Sequence, residues 1–182
     1  MKLLTPGDVR ALGGLLRQRM DWMAARNLPL TAESSHLMDF VLQPDRSQGW
    51  LPVGMWDGDG DTLLAAFAMR DAAPADGWTL EERVQPTRQV SLAHTLPGEQ
   101  QLSCLLTRWV CDHAARKPNP PSWVRCTVRR PRLATYLEAD GWAKVREVAG
   151  VASVVSHLFQ RPPQRNEIVH YLARGKGELV AC

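Results

Sequence analysis

The chain lacks any run approaching the ~18 to 20 continuous apolar residues of a membrane-spanning helix, so none is expected. Its start, Met1-Lys2-Leu3-Leu4, is too short to be the apolar part of a secretion signal, and the expected setting is cytoplasmic with no membrane partner. Cysteine is scarce: Cys104, Cys111, Cys126 and Cys182 show no CxxC or CxxH spacing. That argues for small buried hydrophobes over a disulfide framework or a metal site, and no metal ligands are assigned. Neither sign of charge is in large excess, at 22 basic against 19 acidic residues, so the net +3 alone names no partner. A chain of 182 residues can bury roughly two-thirds of its unfolded surface without a staple. One compact domain over residues 1–161 is expected, followed by a polar tail or arm at 162–182, with no internal repeat. The oligomeric state is left open, a dimer among the options.

What is present is an alternation of helical and extended patterns. Thr5-Pro6-Gly7-Asp8 has the form of a helix start, with Thr5 as cap and Asp8 placed to reach back. Val9, Leu12, Leu15, Leu16, Trp22 and Met23 then recur at helical period, and Asn27 can end the helix. A second helix is expected from about Ser34, carrying Leu37, Phe40 and Val41 inward. Apolar runs at Trp50–Trp56 and Leu63–Met69 flank Asp57-Gly58-Asp59-Gly60-Asp61 and read as a hairpin. The Asp-x-Asp-x-Asp spacing invites a calcium loop, but Thr62 stands where such a loop needs Gly and Ala68 where it needs Glu, so a polar turn is expected. Residues 72–77 read as a loop and Arg88–Leu96 as a strand with Val90, Leu92, His94 and Leu96 on one face. A helix at Leu102–Ala115, a strand at Trp123–Val128, a short helix from Pro131 to Asp140 and strands at Ala143–Val148 and Val151–Phe159 complete the order.

The strand Trp123-Val124-Arg125-Cys126-Thr127-Val128, followed by a short helix ending Tyr136-Leu137-Glu138-Ala139-Asp140-Gly141-Trp142, resembles the C-terminal signature of the GNAT-superfamily N-acyltransferases. The resemblance covers roughly residues 5 to 160. It implies an α/β (α+β) fold with a central, mostly antiparallel mixed sheet, splayed central strands and helices on both faces. Ser91-Leu92-Ala93 is then similar to the family's central strand, and Leu102 to Trp109 to the helix after its donor loop. In that family the splayed strands expose backbone groups that hold the donor's pantetheine arm, and the helix N-terminus holds its pyrophosphate. The donor-binding positions implied are Leu92, Ala93, His94, Gln100, Gln101, Leu102 and Ser103, with Arg129 and Arg130 as further phosphate contacts.

Two departures from the family pattern bear on the donor. Where the family carries an Arg/Gln-x-x-Gly-x-Gly/Ala loop, this chain reads Gly98-Glu99-Gln100-Gln101-Leu102-Ser103. Side chains narrow the approach to a phosphate, and Glu99 brings negative charge. The tyrosine that protonates the leaving thiolate in many relatives falls by count on Leu137, while Tyr136 lies one residue earlier, about 100° around a helix. Tyr136 is nevertheless the candidate acid. His94 and Glu82, with Glu81 beside it, are candidate bases; a core-edge histidine and solvated loop carboxylates are the alternative readings. Trp50, Trp56, Trp78 and Trp142 are candidates for an acceptor pocket or for the core.

Arg116, Lys117, Arg125, Arg129, Arg130 and Arg132 form a stretch without Asp or Glu, suited to a nucleotide donor, to RNA, or to a solvated rim. Three functions follow. The first is acyl transfer from acyl-CoA to an amine of a small molecule or peptide. The second keeps that chemistry with an aminoacyl-tRNA or a carrier-protein thioester as donor. The third is a non-catalytic ligand-binding protein of the same fold. No permanently bound cofactor is expected in any of them.

Overall fold

The computed structural model describes residues 1–28, 33–44, 47–98, 102–149 and 154–173. In chain order the elements are β1 (Lys2–Leu3), α1 (Val9–Ala24), α2 (Glu33–Leu42), β2 (Leu51–Trp56), β3 (Leu63–Arg70), α3 (Leu80–Arg83), β4 (Thr87–Thr95), α4 (Leu102–Ala115), β5 (Trp123–Val128), α5 (Pro131–Ala139), β6 (Ala143–Ala149), β7 (Val155–Arg161) and α6 (Glu167–Ala173). The seven strands form one mostly antiparallel sheet in the order β1-β2-β3-β4-β5-β7-β6, with β4 and β5 parallel. The residues group into two compact units. One comprises Met1–Arg70, Leu92–Trp109 and Glu167–Cys182, the other Asp71–Ser91 and Val110–Asn166.

In the first unit, local chemistry sets the first helix. The Asp8 carboxylate accepts from the Thr5 N–H and the Thr5 hydroxyl, both at 2.9 Å, and so fixes the turn that leads into α1. Leu12, Leu15, Leu16 and Met23 are buried along α1, as their spacing predicts. Asn27 ends the helix in the left-handed region at φ +51°, with the Leu28 N–H on the Met23 carbonyl and the Asn27 N–H on the Ala24 carbonyl, each at 3.0 Å. From α2, Leu37 and Val41 join Leu4, Leu63, Ala66 and Ala68 in one core, and Phe40 stacks on Trp50 at its margin. Strands β2 and β3 pair antiparallel from Leu51↔Met69 to Trp56↔Leu63. Gly54 is closely enclosed there: a Cβ would lie 2.6 Å from a Leu4 methyl and 2.8 Å from a Leu63 methyl, so those side chains would have to shift. The Asp57 carboxylate closes the hairpin by accepting the N–H groups of Gly60, Asp61 and Thr62.

In the second unit, α5 ends on Gly141 at φ +85°, with the Trp142 N–H on the Leu137 carbonyl at 2.9 Å. Leu137, Trp142, Leu158, Phe159, Val124 and Trp78 are buried. Strand β6 is the sheet's edge, carries a register shift between Lys144 and Arg146, and has Lys144 paired with both Glu138 and Glu147. Three elements of the chain were not expected: β1, paired with β2, and α6, both of the first unit, and α3 of this one. Thr79 caps α3 and Glu82 reaches back to the Thr79 N–H at 2.8 Å. Helix α6, within the stretch expected as a tail, buries Val169.

Two arginines of this unit are fully buried, Arg88 on β4 and Arg125 on β5. Arg88 grips Asp71 through two bonds, Nε to Oδ1 at 2.5 Å and Nη2 to Oδ2 at 3.0 Å, and its Nη1 lies 3.3 Å from His113 Nδ1. Lys117 adds a third bond to Asp71 at 2.6 Å. Arg125 donates to the side chains of Gln85, Thr87 and Gln160 and to the Glu82 carbonyl, and lies 4.4 Å over the Trp78 ring. Burial pulls its pKa down and the nearby Glu82 charge partly offsets this. Arg125, expected in a surface basic stretch, is therefore an interior residue. Arg116 and Lys117 of that stretch are bound to Asp112 and Asp71.

Burial pushes the Asp71 carboxyl up, but the bonds from Arg88 and Lys117 outweigh it and hold the carboxyl below its ordinary range. The unfolded chain then binds more protons than the folded one, so this contribution is complete above about pH 4 and is lost as pH falls through the folded value. Asp71→Asn is expected to lower stability at pH 7 by about 2 kcal/mol, under the ~3 to 5 kcal/mol of a fully enclosed pair because Asp71 is half exposed. Urea unfolding of both proteins from pH 7 to pH 3 checks this: the gap between them should close on the acid side.

Candidate active site

Strand β4 pairs with β5 from Thr87↔Trp123 to Val90↔Cys126, and among the described residues the register goes no further. Strand β5 continues through Thr127 and Val128, which among the described residues pair with β7 alone, at Leu158 and His157. Strand β4 runs on from Ser91 to Thr95. The break coincides with a backbone irregularity, because Leu92 has φ +56°, in the left-handed region that leucine rarely enters. A residue held there costs on the order of 1 to 3 kcal/mol and persists only where its surroundings impose it. Leu92 and Leu96 pack on the core cluster beneath α1 and α2, which anchors the strand on both sides of His94. The fully buried residues of β4 end at Val90, and Ala93 is exposed. The even alternation expected over Val90, Leu92, His94 and Leu96 is thus interrupted at Leu92.

The expected donor positions fall in different places. Leu92, Ala93 and His94 lie on the part of β4 beyond the ladder. His94 is half-buried with its Nε2 enclosed. Leu102 and Ser103 open the 14-residue helix α4, whose first N–H groups carry the positive end of its dipole. Glu99, Gln100 and Gln101 lie outside the described residues. Arg129 and Arg130 are exposed between β5 and α5, and Arg132 is exposed in the first turn of α5.

Among the candidate acids and bases, Glu82 has one carboxylate oxygen on the Thr79 N–H and the other on Arg146. Those contacts hold α3 to β6. Glu81 is exposed. Tyr136 is half-buried on α5 with an enclosed hydroxyl, whereas Leu137, the position reached by counting, is 2% exposed and belongs to the core. Burial pushes the thiols of Cys111 and Cys126 up to about 12, so neither supplies a thiolate near neutrality. Trp78 and Trp142 are core residues, and Trp50 and Trp56 pack half-buried on the cluster of the first unit. One contact had no sequence signal: Arg19 of α1 donates through Nη1 to the Thr95 carbonyl at 3.4 Å.

Leu92→Val is expected to cost about 1 to 2 kcal/mol, because a β-branched side chain fits the left-handed region worse than leucine does. Denaturant unfolding measures it, and a neutral effect would remove the strained turn as the reason the ladder stops.

No protein-family model matches the chain, and no curated protein matches it by sequence. Solved structures do. A protein assigned to the GNAT acetyltransferases from Desulfovibrio desulfuricans aligns with TM-score 0.62 at 12% identity, covering 90% of this chain and 98% of its own. An acetyltransferase from Thermus thermophilus gives 0.58 at 14%, covering 88% and 94%. A variant spermidine N-acetyltransferase from Vibrio cholerae gives 0.61 at 10%, covering 89% and 92%. With the parallel β4–β5 ladder ending at Val90 and the strand–helix signature of β5 and α5, these likenesses mean that the chain has the GNAT acetyltransferase fold.

Proposed function

We propose that the chain is an N-acyltransferase that moves an acyl group from an acyl thioester, acyl-CoA first, to an amine of a small molecule or peptide. The observation that carries this reading is the end of the β4–β5 ladder at Val90, with Leu92 turned into the left-handed region immediately after. A strand released from one neighbour can offer its edge to an extended amide-bearing arm such as pantetheine, in the manner of an added strand. The backbone N–H groups near Leu92–His94 are suited to polarising the acyl carbonyl. The amine nitrogen attacks the carbonyl carbon, the C–N bond forms, the C–S bond breaks, and the electron pair leaves on sulfur. His94 accepts the ammonium proton before attack, Tyr136 gives its proton to the leaving thiolate, and the second proton lost from the nitrogen of the adduct restores the phenol. Both roles are carried over from the sequence. Amine acceptors are supported by the fold neighbour named for spermidine.

An aminoacyl-tRNA donor is the second reading. It has less support than the sequence suggested, since Arg125 is interior and Arg116 and Lys117 are bound to carboxylates, leaving Arg129, Arg130 and Arg132 as the exposed part of the basic stretch.

Titration calorimetry with acetyl-CoA and longer acyl-CoAs should give binding heat at concentrations up to about 1 mM. Silence across the series would remove CoA thioesters as donors. With a working donor, Tyr136→Phe should lower kcat about 100-fold with little change in KM, the signature of a lost general acid. An unchanged kcat would leave Tyr136 a packing residue.

A further inference from the structure

We propose that the hydroxyls of Ser91 on β4 and Thr127 on β5 hold the acceptor nitrogen from the two sides of the gap and select a primary amine. This rests on the acyl-transfer reading above and deepens it, because that reading names an amine without its kind or what holds it.

The starting observation is an exposed residue on an interior strand. Strand β5 lies between β4 and β7, yet Thr127 is exposed, while Arg125 two residues earlier is fully buried and Leu158, its partner on β7, is 1% exposed. Side chains two apart on a strand share a face, so the cover on this face stops within a single step. That cover is the segment around α3: Arg125 donates to Gln85, to Thr87 and to the Glu82 carbonyl and lies over Trp78, and Gly77 sits against Leu158. The opposite face is closed at this level, since Val90 and Val128 are buried and Arg88 meets His113 of α4.

The register brings a second hydroxyl to the same place. The last shared rungs are Gln89↔Arg125 and Val90↔Cys126, so one further rung would have been Ser91↔Thr127. The two residues border the gap at its first position, on the open face, and both belong to the second unit. Ser91 is half-buried and Thr127 exposed, and neither hydroxyl has a hydrogen-bond partner among the described residues. Thr87, on the same face of β4, has its hydroxyl committed to the Gln85 carbonyl and to Arg125.

A hydroxyl oxygen offers two acceptor lone pairs. The nucleophilic form of a primary amine carries two N–H bonds and one lone pair. With one N–H on Ser91 Oγ and the other on Thr127 Oγ1, the nitrogen is held between the strands and its lone pair is left for the acyl carbonyl, polarised by the N–H groups just past Ser91. A secondary amine has a carbon in place of one N–H, so it leaves one hydroxyl unpaired and presses an alkyl group against it. Neither hydroxyl gains or loses a proton, and the proton transfers stay as described above.

Steady-state kinetics with acetyl-CoA test this, comparing benzylamine, tryptamine and glycinamide with their N-methyl counterparts. Wild type is expected to favour each primary amine by about 100-fold in kcat/KM. Thr127→Val, which keeps the side-chain shape, and Ser91→Ala should each raise the KM for the amine about tenfold, with the KM for acetyl-CoA within about twofold of wild type. Thr127→Ser should restore the amine KM, which a packing role for the threonine would not allow. Secondary amines used as readily as primary ones, variants with wild-type kinetics toward the amine, or losses shared equally by acetyl-CoA would overturn the assignment and leave the transferase reading in place. No turnover of any amine by wild type would overturn both.

Discussion

The proposed chemistry depends on where β4 leaves β5. Parallel strands bonded along their full length would present only side chains, with the backbone sealed. Here the shared ladder ends at Val90↔Cys126, and the leucine two residues later adopts a conformation that leucine resists. The strain is offset by apolar packing, since Leu92 and Leu96 are held on the cluster of α1 and α2. Without that packing the strand would relax toward ordinary extended geometry, and the edge beyond Val90 would be lost.

A short ladder is a weak one, and the two interior arginines compensate. Arg88 and Arg125 sit on adjacent rungs, opposite Val124 and Gln89, immediately before the ladder ends. Arg125 of β5 donates to Thr87 of β4, which ties one strand to the other by a side chain as well as by backbone. Arg88 ties β4 to Asp71 and, through His113, to α4. Buried ions seldom stabilise a fold more than well-packed hydrophobes would, but breaking one is severe, so they make the surrounding geometry all-or-none. The consequence is a firmly fixed paired stretch directly against an unpaired one.

The features legible in the sequence are those decided locally. Asn27 as the end of α1, the Asp8 reach-back to Thr5 and the polar turn at Asp57 depend on a few neighbouring residues, and the structure realises each. Helix α3 was also legible, because Thr79 and Glu82 carry the capping-box spacing, but a helix of four residues has no apolar period to draw the eye. Arg125 could not be read, since its burial depends on Gln85, Gln160 and Trp78, residues dispersed in sequence and brought together only by the sheet. The turn at Leu92 was hidden for a different reason: leucine signals nothing about φ, and its even spacing with Val90, His94 and Leu96 suggested an unbroken strand.

The edge strand β6 has a consequence of its own. An unpaired strand border invites another chain to dock and propagate, the first step toward fibres. This border is interrupted by the shift between Lys144 and Arg146 and is studded with the Lys144–Glu147 and Arg146–Glu82 pairs, so an incoming strand would meet both a broken repeat and ordered charge. Resistance to self-templating is therefore written into the same few residues that finish the sheet.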